Sequence, residues 1–257
     1  MEARLRFADV RVGVRFTDRP VAEALLPALA HRLDAGPGPV DATITVRCHD
    51  REKLAWWERA APLRPPLLRA LGGDRRRVVH AAAVGDERGC VLLVGARLAG
   101  KTTVATAALR GGFGFVADDY LLLQAGSPFE AVALYGTVCV RARDDVTRLR
   151  RDVVKDVLYV EALMPGALRD SLPVRAVVMP RIAAGGGTRW RPVRAAAALR
   201  AWAPTTAFLM PTDRGAAVPL LSELVQAVPC FALDVGDSSV EIAGAVDELL
   251  DRALSLP

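Results

Sequence analysis

Gly95-Ala96-Arg97-Leu98-Ala99-Gly100-Lys101-Thr102 places two glycines, an ammonium group and a hydroxyl in the spacing G-x-x-x-x-G-K-[ST], the Walker A pattern. Glycine allows a loop to wrap closely around an anion with successive N–H groups turned inward. A helix beginning at Lys101 directs its positive end at the same anion. Lys101 then reaches β- and γ-phosphate oxygens, and the Thr102 hydroxyl is placed to ligate Mg²⁺. The expected ligands are therefore ATP, or another nucleoside triphosphate, with Mg²⁺. They are expected along Gly95, Ala96, Arg97, Leu98, Ala99, Gly100, Lys101, Thr102 and Thr103. Arg97 is at a variable position of the pattern, where reaching over the nucleotide and pointing into solvent are both open.

A second group of candidates follows at Phe115-Val116-Ala117-Asp118-Asp119. A short apolar strand ending in acid can hold a carboxylate beside the phosphate loop, near a metal. The second acid of such a pair can polarise water or take a proton from a hydroxyl. The structural alternative is an acidic turn or helix cap. His80 has two readings, a tuner of the acid pair and a buried histidine satisfied by backbone. Arg141 and Arg143 are candidates for steadying phosphate charge. Cys48-His49-Asp50 ends a strand-like run and reads as structural. The four cysteines and three histidines are dispersed, with no zinc-site spacing.

These residues need elements to position them. Val91 to Val94 reads as a buried strand feeding the loop, Lys101 to Gly111 as a helix, and Phe113 to Ala117 as a strand. Val78 to Val84 and Cys90 to Val94 form a hairpin around Gly85 to Gly89. Strands are expected at Val132 to Val140, Val157 to Leu163, Val174 to Met179 and Phe231 to Val235. Helices are expected at Pro192 to Ala201, Val218 to Ala227 and Ser239 to Leu254. Residues 1–74 read as a small α/β portion, with strands at Ala8 to Thr17 and Ala42 to Cys48 and a helix from Pro20 to Arg32. Its helical stretch from Lys53 to Ala70 must be divided by Pro62, Pro65 and Pro66. Trp56-Trp57 reads as core packing. Residues 75–257 form the larger domain.

Composition narrows the classes. The chain has 257 residues, 52% hydrophobic, and a formal net charge of +5, enough apolar content for a core. The positive charge is scattered arginine, so nucleic acid is not an expected partner. No run approaches the roughly 20 apolar residues of a membrane helix, and no secretory signal is evident. A cytoplasmic protein without membrane association is expected, and a homo-oligomer is open. The lysines are only Lys53, Lys101 and Lys155.

Taken together, His80-Ala81-Ala82-Ala83, GARLAGKTT and GFGFVADDYLLL resemble the HPr kinase/phosphorylase family and its shortened, kinase-like relatives. The likeness spans His80 to Leu123 and is compatible in element order from Leu172 onward. It is poor over the first seventy residues. The resemblance implies an α/β fold with a mixed sheet, built on the P-loop core shared with phosphoenolpyruvate carboxykinase. It implies an ATP- and Mg²⁺-dependent kinase acting on a hydroxyl, with serine in a peptide, protein or small molecule as acceptor. By the same resemblance Asp118 is the catalytic base, Asp119 a metal ligand with Thr102, and His80 a neighbour tuning the acids. The chain departs from bifunctional members because Ala133 to Arg141 contains no carboxylate, and the C-terminal basic segment is not recognisable. Both departures favour the kinase-like relatives, which act on free serine or on precursor peptides of natural products such as lasso peptides. A nucleotide-binding accessory protein without phosphotransfer is the alternative.

Overall fold

The computed structural model describes residues 1–47, 54–141, 155–183, 185–207 and 217–256. The N-terminal strands alternate in burial, as a sheet with one packed face requires. Strands β1 (Glu2–Phe7) and β2 (Val10–Phe16) form an antiparallel hairpin, and β3 (Ala42–Val46) runs parallel to β2. Leu5, Phe7, Val10, Val12, Val14 and Phe16 point into the core. Helix α1 (Arg19–Leu25), with Pro20 in its first turn, continues as a 3₁₀ segment over Leu26–Arg32. The prolines divide the next helical stretch into α2 (Trp56–Ala60) and α3 (Arg64–Leu71), whose first turn contains Pro65 and Pro66.

The larger sheet is mixed and nine-stranded, so the chain is α/β. Its strands are β4 (Arg76–His80), β5 (Ala82–Asp86), β6 (Gly89–Leu93), β7 (Gly114–Ala117), β8 (Tyr120–Gln124), β9 (Glu130–Ala133), β12 (Ser171–Ile182), β13 (Arg189–Val193) and β14 (Cys230–Val235). β10 (Thr137–Arg141) and β11 (Lys155–Tyr159) form a separate antiparallel pair. The long β12 joins the whole. It pairs antiparallel with β9 through Ser171–Pro173, then parallel with β6 and β14. β6 is buried throughout, as expected for a strand covered on both faces.

Helices α4 (Lys101–Arg110) and α8 (Ser239–Leu254) contribute to one apolar layer against the sheet, with Val104, Ala108, Ile242, Val246 and Leu249 inward. Ser238 caps α8 by accepting from the Glu241 N–H. Helices α6 (Ala195–Ala207) and α7 (Ala217–Ala227) contribute to another layer through Trp202, Leu221 and Leu224. A third apolar cluster joins the N-terminal strands and α3 to Val78, Leu122, Val132 and Tyr135. Among the described residues no helix is long and apolar enough to cross a membrane.

Several element expectations need correction. Val78 to Val84 is two strands, broken at Ala81, because β4 pairs with β8 while β5 pairs with β6 and β7. Val132 to Val140 divides into β9 and β10. The interruption contains Gly136, whose N–H is held by the Ala28 carbonyl. Val157 to Leu163 leaves the strand after Tyr159 and closes as the single turn α5 (Val160–Leu163). Pro192 lies in β13 rather than opening a helix, and α6 starts later. β1, β8 and β13 are additional to the sequence reading.

Candidate active site at the glycine-rich loop

The loop leaves β6 and enters α4 at Lys101 through three residues of positive φ, Gly95 (133°), Leu98 (68°) and Gly100 (110°). A Cβ on Gly100 would also lie 2.9 Å from Ile182 Cδ1. Gly100 supplies no side-chain cap to α4, so the N–H groups of the first turn favour an anion. Buried Lys101 donates from Nζ to the carbonyls of Gly95 (3.0 Å) and Ala96 (3.1 Å). Burial lowers its pKa, against the opposing pull of Asp119 and Asp118.

Asp118 and Asp119 lie between β7 and β8, where the paths of β4 and β5 also separate. Ala83 pairs with Ala117, while His80 pairs with Tyr120. The consequence is that His80 stands beside Asp119, with Nε2 at 3.7 Å from Oδ1. The His80 backbone is fixed from α6. Its N–H donates to Thr206 Oγ1 (3.2 Å), and its carbonyl accepts from Trp202 Nε1 (3.0 Å).

The two acids differ in surroundings. Asp118 is buried, and its Oδ2 accepts from the Cys139 N–H at 3.0 Å, while Oδ1 is buried without a hydrogen-bond partner. Burial raises the Asp118 pKa and the Asp119 charge adds to the rise, with Cys139 N–H and the Thr102 hydroxyl opposing. A cavity of about 20 Å³ touches Asp118, Tyr135 and Thr137, room for one water. Asp119 is partly exposed. Burial pushes its pKa up, but His80, Lys155 and Lys101 outweigh that and leave it lowered.

Two larger cavities meet at Asp119. One, about 440 Å³, is lined by Lys101, Thr102, Thr103, Arg97, His80, Asp119 and Lys155 among others. The other, about 400 Å³, shares His80, Arg97, Asp119 and Lys155 and extends to Trp56, Trp57, Arg64 and Tyr120. The expected residues of the loop, the acid pair and His80 are thus brought together. Gly95 and Ala96 lend their carbonyls to Lys101, Leu98 is exposed but lines the first cavity, and Gly95, Ala96 and Ala99 are not among its lining residues. Arg143 and Cys48-His49-Asp50 lie outside the described residues. Arg141 ends β10, and its side chain is also outside them.

Trp56 and Trp57 are not core residues. Trp57 is 53% exposed, and the five-residue α2 turns Ala60 inward instead. Lys155, Arg64 and Tyr120 were not among the expected site residues. For Lys155 a signal exists, since it is one of three lysines in an arginine-rich chain and a second, Lys101, belongs to the loop. Arg64 carries no such mark.

Strand, glycine-rich loop and helix, with an acid pair at the end of β7, one strand removed from β6, are set in an α/β protein with a mixed sheet. No protein-family model matches the chain, and no curated protein matches it. Among solved structures it is similar to the HPr(Ser) kinase/phosphatase from Coxiella burnetii. That likeness covers 68% of this chain and 95% of the other at 12% identity, with a TM-score of 0.39.

Proposed function

We propose that the chain is a P-loop kinase that moves the γ-phosphoryl group of ATP, with Mg²⁺, to a hydroxyl such as that of serine. The observation that carries this reading is that Lys101 and Thr102 line one cavity with Asp119 and His80. A phosphate grip and a proton acceptor thereby face the same space. Phosphoryl transfer asks mainly for positioning and charge stabilisation, and the loop amides and Lys101 supply both to the donor.

Burial supports exchanging the roles that the family resemblance implies for the two acids. Asp119 faces both cavities, so it is the carboxylate an incoming hydroxyl can reach. It takes the hydroxyl proton as the acceptor oxygen bonds to phosphorus and the bond to the β-phosphate oxygen breaks. His80 holds Asp119 in place. Asp118, with its unpartnered Oδ1 and the nearby Thr102 hydroxyl, offers oxygen donors of the type Mg²⁺ takes. Cys139 shares that acidic cluster but does not suit the ion, because burial pushes its thiol up to about 12 and magnesium favours oxygen. When bound, Mg²⁺ offsets charge on the phosphate oxygens.

Transfer from labelled ATP to serine-containing acceptors tests the reading. Asp119→Asn is expected to keep nucleotide binding while transfer drops by about 10²–10⁴-fold. Asp118→Asn is expected to need more Mg²⁺ for half-maximal rate. Transfer by Asp119→Asn at the wild-type rate would remove Asp119 from the mechanism. A nucleotide-binding accessory role without transfer is the second reading, favoured by the lack of a carboxylate from Ala133 to Arg141. Tight ATP binding with no labelled acceptor, and partner affinity that depends on nucleotide, would select it.

A further inference from the structure

The cavity of about 20 Å³ beside the acid pair has polar walls that are only partly satisfied. Thr137 donates to the Ala60 carbonyl at 2.6 Å, and the Tyr120 hydroxyl accepts from Arg64 Nη1 at 2.6 Å. Asp118 Oδ1 and the Tyr135 hydroxyl have no hydrogen-bond partner, although each residue is only 4% exposed. Asp118 and Tyr135 border neither of the larger cavities. Buried polar groups without partners are costly, and two from the wall of one cavity mark a place for a polar or charged occupant.

The donors at that place are of two kinds. Asp118, Asp119 and Cys139 each offer one ligand atom, and the three atoms lie within 4.8 Å of one another. Cys139 reaches the acids through β10, where its N–H occupies Asp118 Oδ2 and leaves Oδ1 free. Two carboxylates and a sulfur, with one position left for water, suit zinc, which makes four bonds of about 2.0–2.3 Å to such atoms. Ligands on one zinc stand roughly 3.5 Å apart, so closure asks for side-chain shifts of about an ångström. Magnesium takes oxygen, and the sulfur therefore separates the two ions. Burial and the two carboxylates keep the thiol protonated when no ion is bound. A coordinated thiol gives up its proton, so binding forms the zinc–sulfur bond and sends that proton to solvent, without change of oxidation state. Asp119 and Cys139 also line the 440 Å³ cavity, which gives an ion its path in.

We propose that Asp118, Asp119 and Cys139 form a site for a thiophilic dication such as Zn²⁺, and that its occupation switches phosphoryl transfer off. The switch rests on the kinase reading above and adds a regulation of that site, whereas the cation site itself needs no nucleotide. Asp119 bound to zinc can no longer take the hydroxyl proton, and Asp118 is lost to Mg²⁺.

Cobalt(II) reports such a site, because a thiolate ligand gives it an intense near-ultraviolet charge-transfer band. Co²⁺ is titrated into the full, nucleotide-free chain, and Zn²⁺ is then added. The band is expected to saturate at one Co²⁺ per chain and to vanish as Zn²⁺ displaces it. Cys139→Ser should abolish the band and weaken zinc by more than the roughly 10–100-fold that an outer-shell change costs. Cys48→Ser should leave both unaltered. Circular dichroism checks that the variants fold, and the wild-type spectrum is decisive without them. No band from folded wild type, the result if the cavity holds one ordered water, overturns the site. So does a band that survives Cys139→Ser or is lost in Cys48→Ser. Transfer from Mg²⁺–ATP is then followed against added Zn²⁺. Wild type should lose activity as the site fills, and Cys139→Ser, relative to its own zinc-free rate, should need at least about ten-fold more zinc. A filled site with undiminished transfer overturns the switch alone. A chain that shows the band but neither binds ATP nor transfers phosphate removes the kinase reading and the switch with it, while the cation site stands.

Discussion

His31 enters the fold with its Nε2 buried and without a hydrogen-bond partner. Burial, helped by the charge of Arg32, lowers its pKa from 6.5 to about 3. Between those values the unfolded chain binds a proton that the folded chain refuses. This contribution to stability is therefore intact above the unfolded value and is lost as pH falls toward the folded one. The slope is about 1.4 kcal/mol per pH unit over that window. His31→Gln should flatten the fall in urea midpoint between pH 7 and pH 4.5, and parallel curves for variant and wild type would contradict this. At the same scale, Asp118 and Asp119 are indistinguishable by type and adjacency in the sequence. Only burial separates them, because it turns one toward Cys139 and the other toward His80.

Among the elements, α6 decides where His80 sits. Trp202 is completely buried and also donates to the His80 carbonyl, so it has both a packing and a positioning role. Trp202→Phe keeps most of the apolar contact and loses the indole donor. It is expected to cost about 1 kcal/mol or more of stability and to lower turnover more than nucleotide affinity. Trp202→Ala, which opens a cavity, is expected to cost about 3–5 kcal/mol. Thermal unfolding, with kinetics of the proposed transfer, checks both, and a Trp202→Phe variant with wild-type turnover would leave α6 a packing role alone. The glycine-rich loop is legible in the sequence because its determinants are local: Gly95, Gly100 and Lys101 lie within one strand–turn–helix. The approach of His80 to Asp119 is not legible, since it depends on the β4–β8 register and on the break at Ala81. The run from Val78 to Val84 hides that break, because Ala81 is as buried and apolar as Val78, Val79, Ala82, Ala83 and Val84 around it.

At the scale of the molecule, two cavities share Asp119, His80, Arg97 and Lys155. The first draws on the loop and α4, and the second on α2 and α3 from the N-terminal segment. The loop side could be anticipated from a contiguous motif. The second cavity could not, since Trp56, Arg64, Tyr120 and Lys155 come from four separate elements and no spacing relates them. The central claim is that the loop grips a triphosphate through Lys101, and calorimetric titration of ATP with Mg²⁺ into wild type and Lys101→Ala tests it most directly. One nucleotide per chain should bind the wild type in a magnesium-dependent manner, with affinity falling by about 100-fold in the variant, roughly the 2.7 kcal/mol of a charge-assisted phosphate contact. No heat from folded wild-type protein, or equal affinity in Lys101→Ala, would contradict the claim.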